Sequence, residues 1–227
     1  MQKDKVALFD FCETLVNFQT ADAFVDYVRE KMQSPRMLRK EKLQRLLRSL
    51  KLIQILEKIT LGNFSINKRF KLWQLKGIET KELEILAYDY YQNRIKPNFI
   101  HKLVQKLNEL KKEKFAIYLV SGGYDIYLKY FIEEYRLDGM ISSRIKMKEG
   151  ICTGRMNGKD CLRKNKILLL DKYFDEKPGY SIAFSDSITD LPFLLWVNKG
   201  YVISFNKHQI WINNYKLEEI IWDSERN

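Results

Sequence analysis

The chain has 227 residues, 45% of them apolar, with 40 Lys and Arg against 29 Asp and Glu for a net charge of +11. That is enough to bury a full core, as one domain with a sizeable insertion or as two small ones. Three cysteines, an odd number, argue against a disulfide framework and for a reducing compartment. No uninterrupted apolar run approaches the roughly 18 residues of a membrane span, and a strand-like segment begins within five residues of Met1, leaving no room for a secretory signal. The expectation is a soluble, cytoplasmic protein without membrane insertion. The basic residues run from Lys3 to Arg226 and are densest between positions 36 and 51, which reads as a solvated basic face; the charge would also draw phosphorylated substrates.

Residues 5–16 form an apolar, strand-like run that delivers a carboxylate, Asp10, followed by Cys12, Glu13 and a hydroxyl at Thr14. An aspartate at the end of a buried strand is placed to attack phosphorus and form an aspartyl phosphate. From about residue 20 to residue 91 strand signal nearly vanishes. Leu43, Leu46, Leu47, Leu50 and Ile53 recur at helical spacing, as do Leu83, Leu86, Ala87 and Tyr90. This predicts an all-helical insertion at 17–94 within an α/β core made of 1–16 and 95–227, with a mostly parallel sheet. Pro97 opens a new segment, and Phe99, Leu103, Leu107 and Leu110 mark a helix leading to a buried strand at 115–120. Ser121, Gly122 and Gly123 end that strand and offer a hydroxyl, open backbone N–H groups and a following helix N-terminus to an anion.

Residues 140–156 alternate like an antiparallel hairpin turning at Glu149 and Gly150. A loop at 158–161 follows, then a helix opening at Lys166 and reaching residue 173. A last apolar strand at 180–184 ends in Ser185, Asp186, Ser187, Ile188, Thr189 and Asp190. Two carboxylates four positions apart at a strand tip repel each other unless a cation sits among them, and hard oxygen donors with room for water suit Mg2+. An Asp N-cap opening a helix is the plainer reading of that pair alone.

Asp10 with Thr14, then Ser121 with Gly122, then Lys166, then Asp186 with Asp190 stand in one order, each after its own strand or in its own helix. This order resembles the haloacid dehalogenase superfamily, in particular its phosphoserine-phosphatase-like branch, over residues 4–16 and 95–206. The resemblance implies a Rossmann-like α/β core with a helical cap. It implies Asp10 as nucleophile and Mg2+ ligand, the Cys12 carbonyl as a second ligand, and Asp186 and Asp190 as the remaining ligands or orienters of metal-bound water. It further implies Ser121, Gly122 and Lys166 as the phosphoryl clamp, and a small phosphorylated metabolite as substrate.

The chain departs from the family pattern at Cys12, where the resemblance implies a second aspartate that protonates the leaving group. A positioned acid contributes about 10²–10⁴-fold, and a thiol beside Asp10 is a poorer acid than a carboxyl group. Glu13 is a substitute acid, although neighbouring positions on an extended segment normally point apart. A substrate with a good leaving group needs little protonation. The competing reading is a catalytically impaired protein that binds phosphate esters or polyanions. In a nucleic-acid version, Trp73, Tyr88, Tyr90 and Tyr91 interleave with Lys68, Arg69, Lys71, Lys76 and Arg94 as an aromatic and basic surface. Aromatics at helical spacing are more often core, so nucleic acid is the disfavoured partner.

Overall fold

The computed structural model describes residues 4–50 and 65–223. Six strands form the central sheet: β1 (Lys5–Phe9), β2 (Ala116–Tyr124), β3 (Gly139–Ser143), β6 (Tyr180–Ser185), β7 (Lys199–Phe205) and β8 (Glu218–Trp222). Their order is β3-β2-β1-β6-β7-β8, and every neighbouring pair is parallel. A parallel sheet is covered on both faces, so its strands run continuously apolar. β1 shows this directly: Ala7 and Phe9 join a cluster on one face with Phe24, Tyr90 and Phe131, while Val6 and Leu8 join one on the other with Leu170, Phe193 and Trp196. The sequence expectation of an α/β fold with a parallel sheet holds.

Between β1 and β2 the described elements are helical: α1 (Thr20–Met32), α2 (Pro35–Ser49), α3 (Ile66–Trp73) and α4 (Thr80–Tyr90). A π-turn at Tyr91–Ile95 and a 3-10 turn at Lys96–Asn98 complete the segment. It leaves and rejoins the sheet at paired positions. Val16 bridges Phe99, Asn17 N donates to Asn98 O at 3.1 Å, and Ile100 N donates to Leu15 O at 2.9 Å. The remaining helices are α5 (His101–Lys112), α6 (Asp125–Tyr135), α7 (Lys164–Tyr173) and α8 (Leu191–Trp196). No helix of the described residues is long and apolar enough to cross a membrane.

The hairpin β4 (Ile145–Lys148) and β5 (Ile151–Met156) turns at Glu149 and Gly150 as expected, but Met140 belongs to β3 of the main sheet. β5 then pairs with the end of the insertion: Cys152 N donates to Ile78 O at 2.8 Å, and Cys152 O accepts from Gly77 N at 2.8 Å. Gly154, at φ +67°, lies where a Cβ would stand 2.8 Å from Lys76 Cβ and 3.1 Å from Trp73 Cα, so only glycine admits this close approach.

Three local expectations need correction. β2 continues in extended form through Gly122 and Gly123 to Tyr124, with its register against β3 broken between Ser121 and Tyr124. α7 begins at Lys164, so Lys166 is its third residue rather than its first. On α2 the leucine stripe is not the buried face: Leu43, Leu46 and Leu50 are exposed, whereas Met37, Lys40 and Gln44 are buried. The cause is polar capping. Lys40 Nζ donates to the carbonyls of Trp73, Gln74 and Lys76 at 3.1–3.3 Å, satisfying the C-terminal end of α3. Ile53 of that stripe lies outside the described residues.

Candidate active site

The carboxyl ends of β2, β1 and β6, three adjacent strands, open onto one cavity of about 280 Å³. In open α/β sheets the crevice outside the carboxyl ends, where strand order reverses, is the usual ligand site. β1 is that point here, with β2 on one side and β6 on the other. Asp10, Cys12, Glu13, Gly122, Lys166, Asp186 and Asp190 all line the cavity. Ser121 does not. It is fully buried behind Gly122, and its Oγ accepts the Gly123 N–H at 3.1 Å. At Gly122 a Cβ would stand 2.3 Å from Leu162 Cδ2, so any side chain there would have to displace Leu162.

Lys166 organises the floor. Its Nζ lies 3.2 Å from Asp10 Oδ1 and donates to Asp190 Oδ2, with all three residues buried. Burial opposes its charge, but Asp10 and Asp190 outweigh that, so its pKa rises above the ordinary lysine value and it stays cationic. Burial likewise raises Asp10 to about 6, with Lys166 pulling the other way. The Phe11 N–H donates to Asp10 Oδ1 at 2.7 Å and fixes the carboxylate. Asp190 also accepts from Ser185 Oγ at 2.7 Å. Asp186 accepts from Thr14 Oγ1 at 3.3 Å, which gives the hydroxyl noted in the sequence a positioning task the motif alone did not reveal.

Cys12 and Glu13 face the same cavity. Glu13 has φ +55°, a left-handed conformation that breaks the alternation expected of an extended segment. Its Oε2 accepts from Gln19 Nε2 at 2.5 Å. The Cys12 Sγ sits 3.1 Å from Thr20 Oγ1 and 3.4 Å from Thr20 N, and Thr20 Oγ1 continues to Tyr127 OH at 2.8 Å. Burial first, then Asp10, pushes the thiol up to about 11.

Among the described residues no group of three or more His, Cys, Asp or Glu side chains is gathered as a metal cage. The oxygen donors at hand are few: Asp10 and Asp186 on neighbouring strand ends, and the backbone carbonyl between Cys12 and Glu13. Their electrostatics favour a cation. Burial, then Asp10 and Glu13, raises Asp186 to about 7, the sign of carboxylates short of positive charge. A donor set of one or two carboxylates with space for water fits magnesium, which keeps several of its waters.

A charged pair missed in the sequence joins the insertion to the sheet. Lys68 of α3 is buried, and its Nζ donates to Gly122 O at 2.5 Å, Asp160 Oδ1 at 2.5 Å and Ser143 Oγ at 3.2 Å. Asp160 lies in the loop before α7, and Ser143 Oγ also donates to it at 2.5 Å. Lys68→Met should cost about 3–5 kcal/mol, because it strands a buried carboxylate; a urea titration of the variant measures this. The aromatic and basic surface entertained for nucleic acid is not assembled. Tyr90 and Tyr91 are in the core, Lys68 is consumed as above, and Lys71 Nζ is held by both oxygens of Asp26 at 2.5 and 2.6 Å.

Asp10, Gly122 and Asp186, at the ends of three adjacent parallel strands, thus share one cavity with the buried Lys166 and Asp190. The family profile of haloacid dehalogenase-like hydrolases matches residues 7–195. The chain belongs to that family. A phosphoserine phosphatase of Methanocaldococcus jannaschii is 27% identical over 173 residues, 75% of this chain and 70% of the relative. Among solved structures, a protein of unknown function from Bordetella pertussis superposes with a TM-score of 0.77 at 17% identity, covering 96% of this chain and 98% of the other. A phosphoserine phosphatase in its apo form gives 0.59 at 21% identity, covering 96% and 94%.

Proposed function

We propose that this phosphoric monoester hydrolase cleaves a small phosphomonoester metabolite with magnesium and through an aspartyl-phosphate intermediate. The observation that carries the reading is the convergence of Asp10, Lys166, Asp186, Asp190 and Gly122 on one small cavity. Asp10 attacks phosphorus and the ester oxygen leaves; water then cleaves the aspartyl phosphate and frees Asp10. Lys166 and the Gly122 N–H hold the phosphoryl oxygens, and Ser121, from behind, fixes the irregular strand end that presents Gly122. This is the positioning and charge neutralisation on which phosphoryl transfer depends. Asp10, the Cys12 carbonyl and Asp186 would hold the magnesium ion. Asp190, already engaged by Lys166 and Ser185, would act on the waters around it. The ion would neutralise charge on the phosphoryl oxygens. Glu13, brought into the cavity by its left-handed backbone, takes over proton transfer to the leaving oxygen from the aspartate that Cys12 replaces. Residues 17–94 serve as the cap that limits substrate size, and 1–16 with 95–227 as the catalytic core.

Phosphate release from a panel of alkyl, aryl and acyl phosphates, with and without magnesium, tests this. Magnesium should raise the melting temperature by mass action, equivalent to about 2.7 kcal/mol at one hundred times its dissociation constant, and excess EDTA should abolish turnover. Full turnover in EDTA would show that Asp186 and Asp190 are helix caps rather than metal residues. The rival reading, an impaired protein that binds phosphate esters without hydrolysing them, rests on the raised pKa of Cys12 and predicts magnesium-dependent binding with no phosphate released.

A further inference from the structure

The cavity has a second half, contributed by the insertion. Gln19, Ala21, Asp22, Ser65, Asn67 and Lys68 line it opposite the strand ends. Whatever part of a substrate lies beyond its phosphoryl group meets these residues.

Their charge is lopsided. Lys68 is the one cation among them, and an ammonium has three protons to donate. All three have acceptors within the protein: Gly122 O, Asp160 Oδ1 and Ser143 Oγ. Lys166, on the floor, is shared between Asp10, Asp190 and, on the phosphatase reading, the phosphoryl group, so it is not at hand for a second anion. No described lining residue therefore has a cation left for a carboxylate on the substrate. Asp22 is the opposite case. It stands in the first turn of α1, half-buried on the cavity wall, and its carboxylate accepts one long hydrogen bond, from Asn67 Nδ2 at 3.4 Å. Of the cations that act on it, Lys71 is bound by both oxygens of Asp26 and Lys68 is held as above, while Arg48 has the weakest effect. Burial raises the Asp22 pKa, with Lys71 only partly opposing it. The group is desolvated and would be stabilised by a cation entering the cavity. Around it Ser65 and the side-chain amide oxygen of Gln19 offer further acceptors of N–H groups. A volume of about 280 Å³ accommodates a phosphate together with a small organic group.

Resting on the phosphatase reading above, we infer that the substrate is an aminoalkyl phosphomonoester without a carboxylate, its ammonium group received by Asp22 while Asp10, Gly122 and Lys166 hold the phosphate. The reaction that supplies such a substrate is one that phosphorylates, or releases as a phosphate ester, a short amino alcohol. The wall thus separates this chain from a reader of phosphorylated amino acids, which needs a free cation for the carboxylate.

The test compares kcat/KM for 2-aminoethyl phosphate, n-propyl phosphate of similar shape, and O-phosphoserine, with p-nitrophenyl phosphate as a report on the phosphoryl machinery. The amine should exceed both the neutral and the carboxylate-bearing ester by about 10–100-fold, the scale of one hydrogen-bonded charge pair. Asp22→Asn should collapse the amine-to-propyl ratio towards one, mainly through KM, and Asp22→Glu should restore part of it. Equal kcat/KM for amine and propyl esters, or preference for O-phosphoserine, overturns the inference while turnover of p-nitrophenyl phosphate leaves the phosphatase reading standing. If no ester is hydrolysed, that reading fails, and thermal shifts of wild type and Asp22→Asn with 2-aminoethyl and n-propyl phosphate decide the inference by binding alone. A larger shift with the amine, lost in Asp22→Asn, upholds it, and equal shifts overturn it.

Discussion

Asp10→Asn is expected to abolish phosphate release, by on the order of 10⁴- to 10⁶-fold as when other covalent hydrolases lose a nucleophile, while the fold persists. The carboxylate is buried and desolvated, so an amide of the same shape removes a charge that burial disfavours. Lys166 keeps Asp190 as its partner, and the strand register on both sides of β1 is set by backbone hydrogen bonds the substitution does not touch. Circular dichroism and the urea midpoint should stay close to wild type. Normal turnover by a folded Asp10→Asn protein would remove Asp10 from the nucleophile role.

Cys12→Asp is expected to raise turnover of alkyl phosphates by up to about 10²–10⁴-fold, with much less gain on aryl or acyl phosphates. The thiol, pushed up to about 11, is a poor proton donor at neutral pH, and an alkoxide leaving group needs one more than a phenoxide does. The surroundings of the thiol already suit a carboxylate, with the Thr20 N–H and Thr20 hydroxyl aimed at Sγ. Glu13→Gln belongs to the same series. In the native background it should depress alkyl phosphate turnover, and with Cys12→Asp present it should cost little, a coupling that a double-mutant cycle measures. A native rate that survives Glu13→Gln, together with no gain from Cys12→Asp, would mean that neither position handles the proton.

Much of this site was legible in the sequence because it is built from strand ends. A buried parallel strand is a short apolar run closed by polar residues, so Asp10, Ser121 and Asp186 announced themselves by where apolarity stopped. Lys166 was reachable only through the resemblance, whose spacing from Ser121 and Asp186 it matches. What could not be read was anything fixed by backbone conformation or by distant partners. The left-handed φ of Glu13 reverses which side its carboxylate faces, and no neighbour in sequence signals it. The pairing of Lys68 with Asp160 spans 92 positions, so Lys68 looked like one more exposed base among many. The leucines of α2 misled for a related reason. Periodicity assumes that the apolar stripe is the buried one, whereas Lys40 turns α2 so that its polar side caps α3.

The helical insertion is fastened at its root by Val16 and Phe99, along β5 by Cys152 and Ile78, and at the end of β2 by Lys68. Its aromatic side chains are stitched into the sheet layer as well: Phe24 and Tyr90 each lie within 5.3 Å, ring to ring, of Tyr127 on α6. On the proposed reading, in which the insertion meets the substrate, reader and catalyst are one packed unit. A relative's cap could not be grafted here without rebuilding the floor beneath it, so changes of substrate in this lineage would be expected to proceed by single replacements on the cavity wall, at positions such as Asp22, and not by exchange of whole modules.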